Sequence, residues 1–387
     1  MRKRTTYWRE KCISPDKPGD RTWMRVLLIC GLLIQTPGHC AEPQERGYAI
    51  TIRGFGTLGA AHSSLRDADY VASPVQPSGT GFSRDWAPGV DSKLGLQVNA
   101  DISERLEAVF QVVSRHQVDA GYSPRVEWAN LSYQITPDLR VRGGRIVLPA
   151  FMVSESRLVG LANFWLRPPI ESYSLIPFTN SDGVDVFIRS RVGDATNALQ
   201  LLYGNVKIKG VSATATGTQQ IRSEARGMTG IANTIDWNGW TLRGAALASR
   251  LPASDGRLRF FNLGVSYDPG NWFVQAEWSK LMIPNLSRIT KAAYVSVGMR
   301  AGMLTPYIIY STARPGDPEP SAIANDQRAI SAGVRWDFAK NAALKLQLDD
   351  VQVRERAGGN GYFINIQPGF SPGSASKVVS IVLDFAF

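Results

Sequence analysis

The sequence predicts an all-β fold, a transmembrane antiparallel β-barrel of about sixteen strands. Three observations predict it. Apolar and polar residues alternate strictly along segment after segment, which gives each segment two unlike faces. The connections between these segments alternate between short turns and long polar loops. The chain of 387 residues opens with an export leader, yet nowhere holds the run of roughly 20 apolar residues that a membrane helix needs.

The leader comes first. Met24-Arg25 precedes Val26 to Ile34, an apolar run without charge, and then come Gln35, Thr36, Pro37, Gly38 and the small residue Ala41. A basic start, a short apolar core and a small-residue exit read as a secretory signal peptide over residues 24–41, with cleavage expected near Ala41. A buried strand or an anchoring helix is the alternative reading of the run. His39, just before Cys40, stands where lipid attachment would need a small residue. Residues 1–23 read as an extension ahead of the signal, with Met24 the expected initiator. All three cysteines (Cys12, Cys30, Cys40) lie in the leader, so the exported part, 42–387, has no thiol for a disulfide framework or a thiolate metal site. The leader also holds eight of the 43 basic residues and three of the 33 acidic ones, so the net charge falls from +10 to +5 once it is removed. That weakens a nucleic-acid reading of the basic balance.

The alternation is clearest in four places. Leu94, Leu96, Val98 and Ala100 interleave with Lys93, Gly95, Gln97 and Asn99; Leu344, Leu346 and Leu348 with Lys345, Gln347 and Asp349. Trp272, Val274, Ala276 and Trp278 interleave with Phe273, Gln275, Glu277 and Ser279; Ile330, Ala332, Val334, Trp336 and Phe338 with Ser331, Gly333, Arg335 and Asp337. A soluble sandwich also alternates, but two further features favour a barrel. Short turns at Asp101–Glu104, Pro137–Asp138, Gly193–Thr196, Asn238–Gly239, Pro269–Gly270, Gly302–Met303 and Ala339–Asn341 separate longer stretches. The long stretches are His62–Pro88, Gln117–Pro124, Pro149–Ser181, Lys207–Ser223, Pro252–Gly256, Met282–Thr290, Arg314–Asn325 and Glu355–Ala375. Short turns on one rim and long loops on the other are the pattern of membrane barrels. Tyr133, Trp237, Trp240, Tyr267, Trp272, Trp336 and Phe338 gather beside the short turns, as an interfacial aromatic belt would. The fifteen connections imply sixteen strands, from Gly47–Ala61 to Ser376–Phe387, with Glu224–Trp237 the most weakly patterned. Mean hydropathy is only −0.13 because half of every strand faces a wet interior.

Catalysis is not expected. The exported part has only His62 and His116, with no metal-ligand spacing around either and no Gly-x-Ser-x-Gly elbow. No cofactor or metal is expected.

In this architecture the chain resembles the general porins of Gram-negative outer membranes, and more closely a proteobacterial porin-like family. The resemblance covers nearly the whole exported chain. Its most specific stretch runs from Arg145 to Asp185, with Leu148-Pro149 leading out of strand five and Arg167-Pro168-Pro169, Glu171, Tyr173 and Asp182-Gly183 punctuating the loop. The resemblance implies a water-filled channel for passive diffusion of small hydrophilic solutes and ions. It further implies a homotrimer in outer-membrane lipid and lipopolysaccharide, and a third loop folded inward to narrow the pore. It implies that the terminal segment, with Phe385 and Phe387, is read by the barrel-assembly machinery.

The residues of the Pro149–Ser181 loop suit that role. Phe151, Phe164, Trp165, Leu166, Tyr173 and Phe178 are more apolar surface than a solvated loop would expose. Packing on neighbouring loops or on a subunit contact is the other reading. The charged candidates for the constriction are Glu155, Arg157, Arg167, Glu171 and Asp182. Strand parity assigns Arg53, Lys93, Arg115, Arg189, Arg191, Arg243, Arg300, Arg335 and Lys345 to the pore wall, with the acids Glu107, Asp185, Glu277, Asp337, Asp349 and Asp384. The basic excess suggests a mild anion preference. For any one arginine, a solvated or salt-bridged lumen position is the plainer reading. The facing of Arg140, Arg142 and Arg145, around Gly143-Gly144, is open. A solute-specific channel, or a barrel scaffold or adhesin whose loops bind a partner, are the alternative functions.

Overall fold

A computed structural model describes residues 49–118, 121–214, 217–284, 288–316, 325–354, 359–371 and 373–387. The expected extension 1–23 and signal segment 24–41, with their cysteines, lie outside the described residues.

Among the described residues, sixteen strands form one closed antiparallel barrel. They are β1 (Ala49–Ser63), β2 (Lys93–Asp101), β3 (Leu106–Arg115), β4 (Arg125–Thr136), β5 (Leu139–Val147), β6 (Asn180–Val192), β7 (Ala195–Thr214) and β8 (Gly217–Trp237). Then follow β9 (Trp240–Leu251), β10 (Gly256–Tyr267), β11 (Trp272–Ile283), β12 (Arg288–Met299), β13 (Leu304–Pro315), β14 (Gln327–Ala339), β15 (Ala342–Val353) and β16 (Ala375–Ala386). Each strand pairs with its neighbours in sequence, and β1 pairs with β16 from Phe55↔Ala386 to Ser63↔Val378. Closure satisfies every strand edge, which a sheet in a water-free lipid core requires.

The alternation decides the two faces. Ile52, Leu94, Leu131, Leu242, Leu263, Ile308 and Leu348 stand exposed on the outside, whereas Thr57, Gln111, Ser296, Ser311 and Ser380 are buried inside. Trp240 and Tyr267 stack at 4.4 Å near the short-turn rim, the expected site of the aromatic belt. At the seam, the rings of Phe385 and Phe387 lie over Gly56 and Gly54 of β1. A Cβ on these glycines would meet those rings at 2.4 and 2.2 Å. The absent side chains make room for the aromatics, and the rings cover backbone that glycine leaves bare.

Two expected boundaries are corrected. The segment Lys207–Ser223 is not a loop: β7 and β8 continue through it as a two-stranded ribbon, with bulges at Gly204/Val206 and Arg226/Thr229. The period of two continues there, with Val206 buried and Lys207 exposed, and the ladder supplies the backbone bonds. At the other end, Pro88–Val90 forms a single 3-10 turn, so β2 starts at Lys93 rather than Gly89; proline cannot donate to a ladder.

Candidate functional site

The interior is where chemistry-bearing residues converge. Residues 148–179 leave β5 and return to β6 through a neck closed by the Leu148 N–H bond to the Thr179 carbonyl, 2.9 Å. Pro168-Pro169 sets up a single helical turn, α1 (Ile170–Tyr173), which the Tyr173 amide closes onto the Pro169 carbonyl at 3.0 Å.

An irregular loop carries carbonyls that need donors. The wall supplies them from inward-facing cations. Lys345 of β15, fully buried, donates from Nζ to the carbonyls of Gly160 (2.8 Å), Asn163 (2.8 Å) and Trp165 (2.9 Å). Its charge is balanced by Asp384 of β16 at 2.8 Å. Arg335 of β14 donates to the carbonyls of Leu161 and Asn163, both at 2.8 Å.

The loop's own charges reach outward to the same half of the wall. Arg167 forks onto Asp91 at 2.9 and 2.7 Å and reaches Asp349 at 3.0 Å, Tyr70 at 3.2 Å and Ser380 at 2.5 Å. Burial works hardest against its charge, but Asp91, Tyr70 and Asp349 outweigh it and hold the guanidinium well above its ordinary pKa. Glu171 accepts from Gln327 (2.6 Å) and Ser311 (2.7 Å), and burial raises its carboxyl above the usual range. Glu277 of β11 accepts from the hydroxyls of Tyr173 and Tyr294, both at 2.6 Å, and from the Met152 amide at 3.0 Å. Between these anchors, Phe151 stacks on Tyr173 at 4.4 Å and Phe164 meets Phe273 at 4.4 Å. The loop is thus fastened by buried polar bonds and aromatic packing to the inner faces of β10–β16.

The other half of the wall is less occupied. Glu155 stands exposed on the loop, and Arg243 of β9 donates to the Thr234 hydroxyl at 2.7 Å and to the Pro149 carbonyl at 3.3 Å. Arg142 forks onto Asp185 of β6 at 3.0 and 2.7 Å. The Arg140 and Arg142 guanidiniums lie 4.6 and 4.5 Å from the centre of the Phe187 ring. A chain of amides runs beneath: Gln111 to Gln97 (2.7 Å), Gln97 to Asn99 (2.7 Å), and Asn99 to Glu107 (2.7 Å). Where loop and wall meet, a cavity of about 80 Å³ is lined by Lys93, Arg115, Arg157 and Arg167, with Asp91 and His116. Burial lowers the Arg157 pKa to about 10, and the charge of Arg115 adds to the effect.

The sequence-read residues fall into distinct places. Glu155, Arg157, Arg167 and Glu171 lie on the loop as read, but Arg167 and Glu171 are buried fastenings, Arg157 is half-buried and bonded to loop carbonyls, and Glu155 is exposed. Asp182 is not in the loop. It lies in β6 on the outer face and pairs with Arg145 of β5 at 2.7 Å; the strand starts at Asn180 and parity puts Asp185, not Asp182, inside. Arg53, Arg189 and Arg191 have inward parity and are exposed toward the short-turn mouth. Arg115 faces inward and reaches Glu127 at 3.4 Å. Arg300 lies just past β12 and forks onto Asp268 at 2.6 and 2.7 Å, clamping a turn rather than lining the wall. Arg335 and Lys345 are braces for the loop. Of the residues left open, Arg140 and Arg142 face inward and Arg145 outward, because the ladder runs through Gly143-Gly144 without a slip. Asp91 was missed, although it continues the inward parity of Lys93.

No protein family matches the sequence, and no curated protein does. Solved structures do match the fold. The anion-selective porin from Comamonas acidovorans superposes with a TM-score of 0.58 at 14% identity, over 88% of this chain and 100% of that one. The outer membrane channel DcaP of Acinetobacter baumannii gives 0.55 at 13% identity, over 88% and 98%. OmpT of Vibrio cholerae, in a trimer form, gives 0.55 at 13%, over 88% and 100%. The shared feature is the barrel, and with its apolar outer belt the chain is an outer-membrane β-barrel.

Proposed function

We propose that this barrel is a diffusion channel for small hydrophilic solutes, of the porin kind, with a mild preference for anions. The observation that carries this reading is the asymmetry of the interior. The loop 148–179 is fastened mainly to one half of the wall and carries one exposed acid, Glu155, while the other half presents the inward cations Arg140, Arg142 and Arg243, the last of which donates to the Pro149 carbonyl at 3.3 Å. A water-filled gap between a carboxylate and a cationic wall needs no covalent step. It sorts solutes by radius and by local potential. Arg53, Arg189 and Arg191, at the short-turn mouth, extend the positive potential. The likeness to an anion-selective porin and to an outer membrane channel supports the reading. The trimer form of one compared protein supports a homotrimer. Export by a cleaved signal at 24–41 and insertion by the barrel-assembly machinery complete the proposal.

Planar-bilayer recording tests it. Discrete conductance steps, and a reversal potential favouring anions in a salt gradient, are the expected result. No steps would sink the channel reading in favour of a scaffold whose loops bind a partner; cation preference would overturn the selectivity alone. The cavity lined by Lys93, Arg115, Arg157 and Arg167 favours one second reading, a channel specific for a small anion. Saturable block of conductance by one such anion would promote it.

A further inference from the structure

The inner face of the barrel changes character toward the long-loop end of β9–β11. Along β11 the inward residues run Glu277, Ser279, Leu281, Ile283, and along β10 they run Asn262, Phe260, Leu258. β9 ends on Leu251. Leu251, Leu258, Leu281 and Ile283 are all buried. At the same end of β2 and β3 the inward residues are Lys93 and Arg115. A wall that only passes hydrophilic solutes has no use for four aliphatic side chains at its mouth. Part of this surface packs against Leu175 of the loop and the half-buried Phe178 and Ile208. The packing does not close. A cavity of about 240 Å³ remains between the strand ends, the loop, Ile208 of β7, and Tyr362 and Ile364 from the connection between β15 and β16.

Its frame is fixed by hydrogen bonds. Ile364 exchanges backbone bonds with Asp69 at 2.8 and 3.1 Å. The Tyr362 amide donates to the Gln327 side chain at 2.9 Å, and its hydroxyl donates to the Glu171 carbonyl at 3.2 Å. Two cations line the cavity, Arg288 of β12 and Lys209 of β7, and both are exposed. No described lining residue is an acid. Arg288 shares the inward parity of Thr290 and pairs directly with Ile283 across the ladder, so a guanidinium stands beside the aliphatic wall. The Asn325 amide, oriented to satisfy both neighbours, accepts from that guanidinium at 3.1 Å and donates to the Gly361 carbonyl at 2.9 Å. An amide holds the cation without neutralising it. An apolar cavity of about 150 Å³ is enough to take up benzene, and a guanidinium beside such a space offers a fork for a carboxylate.

We propose that this cavity binds a small amphipathic acid at the long-loop mouth, an apolar body of one ring or a short chain carrying a single carboxylate. The aliphatic walls take the body, which gains by leaving water. Arg288 forks onto the carboxylate, and Lys209 adds a second positive charge. The site shares no lining residue with the cavity of Lys93 and Arg115. Its occupancy does not depend on whether the barrel conducts.

The test uses the full exported chain, folded in detergent and titrated with sodium benzoate in a calorimeter, with protein-free micelles as the blank. Wild type should give a saturable isotherm with one site per chain. Acetate has the head without the body, and benzyl alcohol has the body without the head. Each should bind about tenfold more weakly than benzoate. Arg288→Gln should weaken benzoate about tenfold and leave benzyl alcohol unchanged, and Arg288→Lys should recover part of the loss. Ile283→Trp fills the space and should abolish binding of both. Heat-modifiable migration on gels checks that each variant has folded, and Arg288→Gln, at an exposed position, keeps the test decisive if Ile283→Trp does not fold. Absence of a saturable isotherm overturns the proposal. So does acetate or benzyl alcohol binding as well as benzoate, or Arg288→Gln binding benzoate as wild type does. A barrel that binds benzoate without conducting supports this site and sinks only the channel reading.

Discussion

Arg167 is the fastening whose removal should be most visible. Its side chain is 6% exposed, and it lies between Asp91 and Asp349, each 3% exposed. Arg167→Met deletes the cation and leaves both carboxylates buried without it. Breaking a buried ion pair by removing one partner costs about 3–5 kcal/mol, and two stranded acids place this site toward the upper end. At about 1.4 kcal/mol per decade, the undocked loop should gain roughly three decades or more in population. Arg167→Lys should recover only part, since an ammonium cannot reproduce the fork onto Asp91. Adding Asp349→Leu to the methionine variant should recover some docking by removing one stranded charge. Two assays read the result. Single-channel traces should show added open-channel noise or larger steps as the loop leaves the wall. Trypsin should cut at Arg157, whose guanidinium is held in wild type by the carbonyls of Ile176 (2.9 Å) and Tyr173 (2.8 Å). Wild-type traces together with wild-type resistance at Arg157 would refute the claim that this triad holds the loop.

Three further outcomes follow from the same geometry. Glu155→Gln should raise the anion-to-cation permeability ratio about sixfold at low salt, since one unit charge roughly 8 Å from the path in near-aqueous dielectric shifts anion and cation by about 0.5 kcal/mol each in opposite directions; an unchanged reversal potential would remove Glu155 from the conduction path. Burial raises the Glu171 carboxyl, so the docked loop holds that proton more tightly than the free loop. Docking is then strongest at pH values below the ordinary carboxylate value and weakens as pH rises from that value through the raised one. Glu171→Gln should flatten this dependence in trypsin-free hydrogen exchange between about pH 4 and pH 8, and a retained slope would assign it to another group. Phe387→Ala removes a ring that covers Gly54 at the β1–β16 seam and is 65% exposed. It should lower the yield of heat-modifiable folded barrel on gels while leaving single-channel conductance unchanged; normal yield would detach Phe387 from assembly.

The sequence by itself determined the barrel, because a period of two is a local property. Each residue's face follows from its neighbours two positions away, and short turns count the strands without any tertiary knowledge. For the same reason it assigned Arg53, Arg115, Asp185 and Arg243 to the inside, and the face of Asp91 was available to anyone extending the parity. Where parity was carried past a strand end it misled, as with Arg300; a strand begun too late placed Asp182 in a loop, and one ended too early hid the β7–β8 ribbon. What only the tertiary structure decided is the role of each inward cation. Lys345 meets the carbonyl of Gly160 across 185 positions of sequence, and Arg167 meets Asp349 across 182. Nothing local distinguishes such a brace from an arginine that faces the water-filled gap. The difference lies in where an irregular loop brings its unsatisfied carbonyls, and that is settled only when the barrel has closed around it.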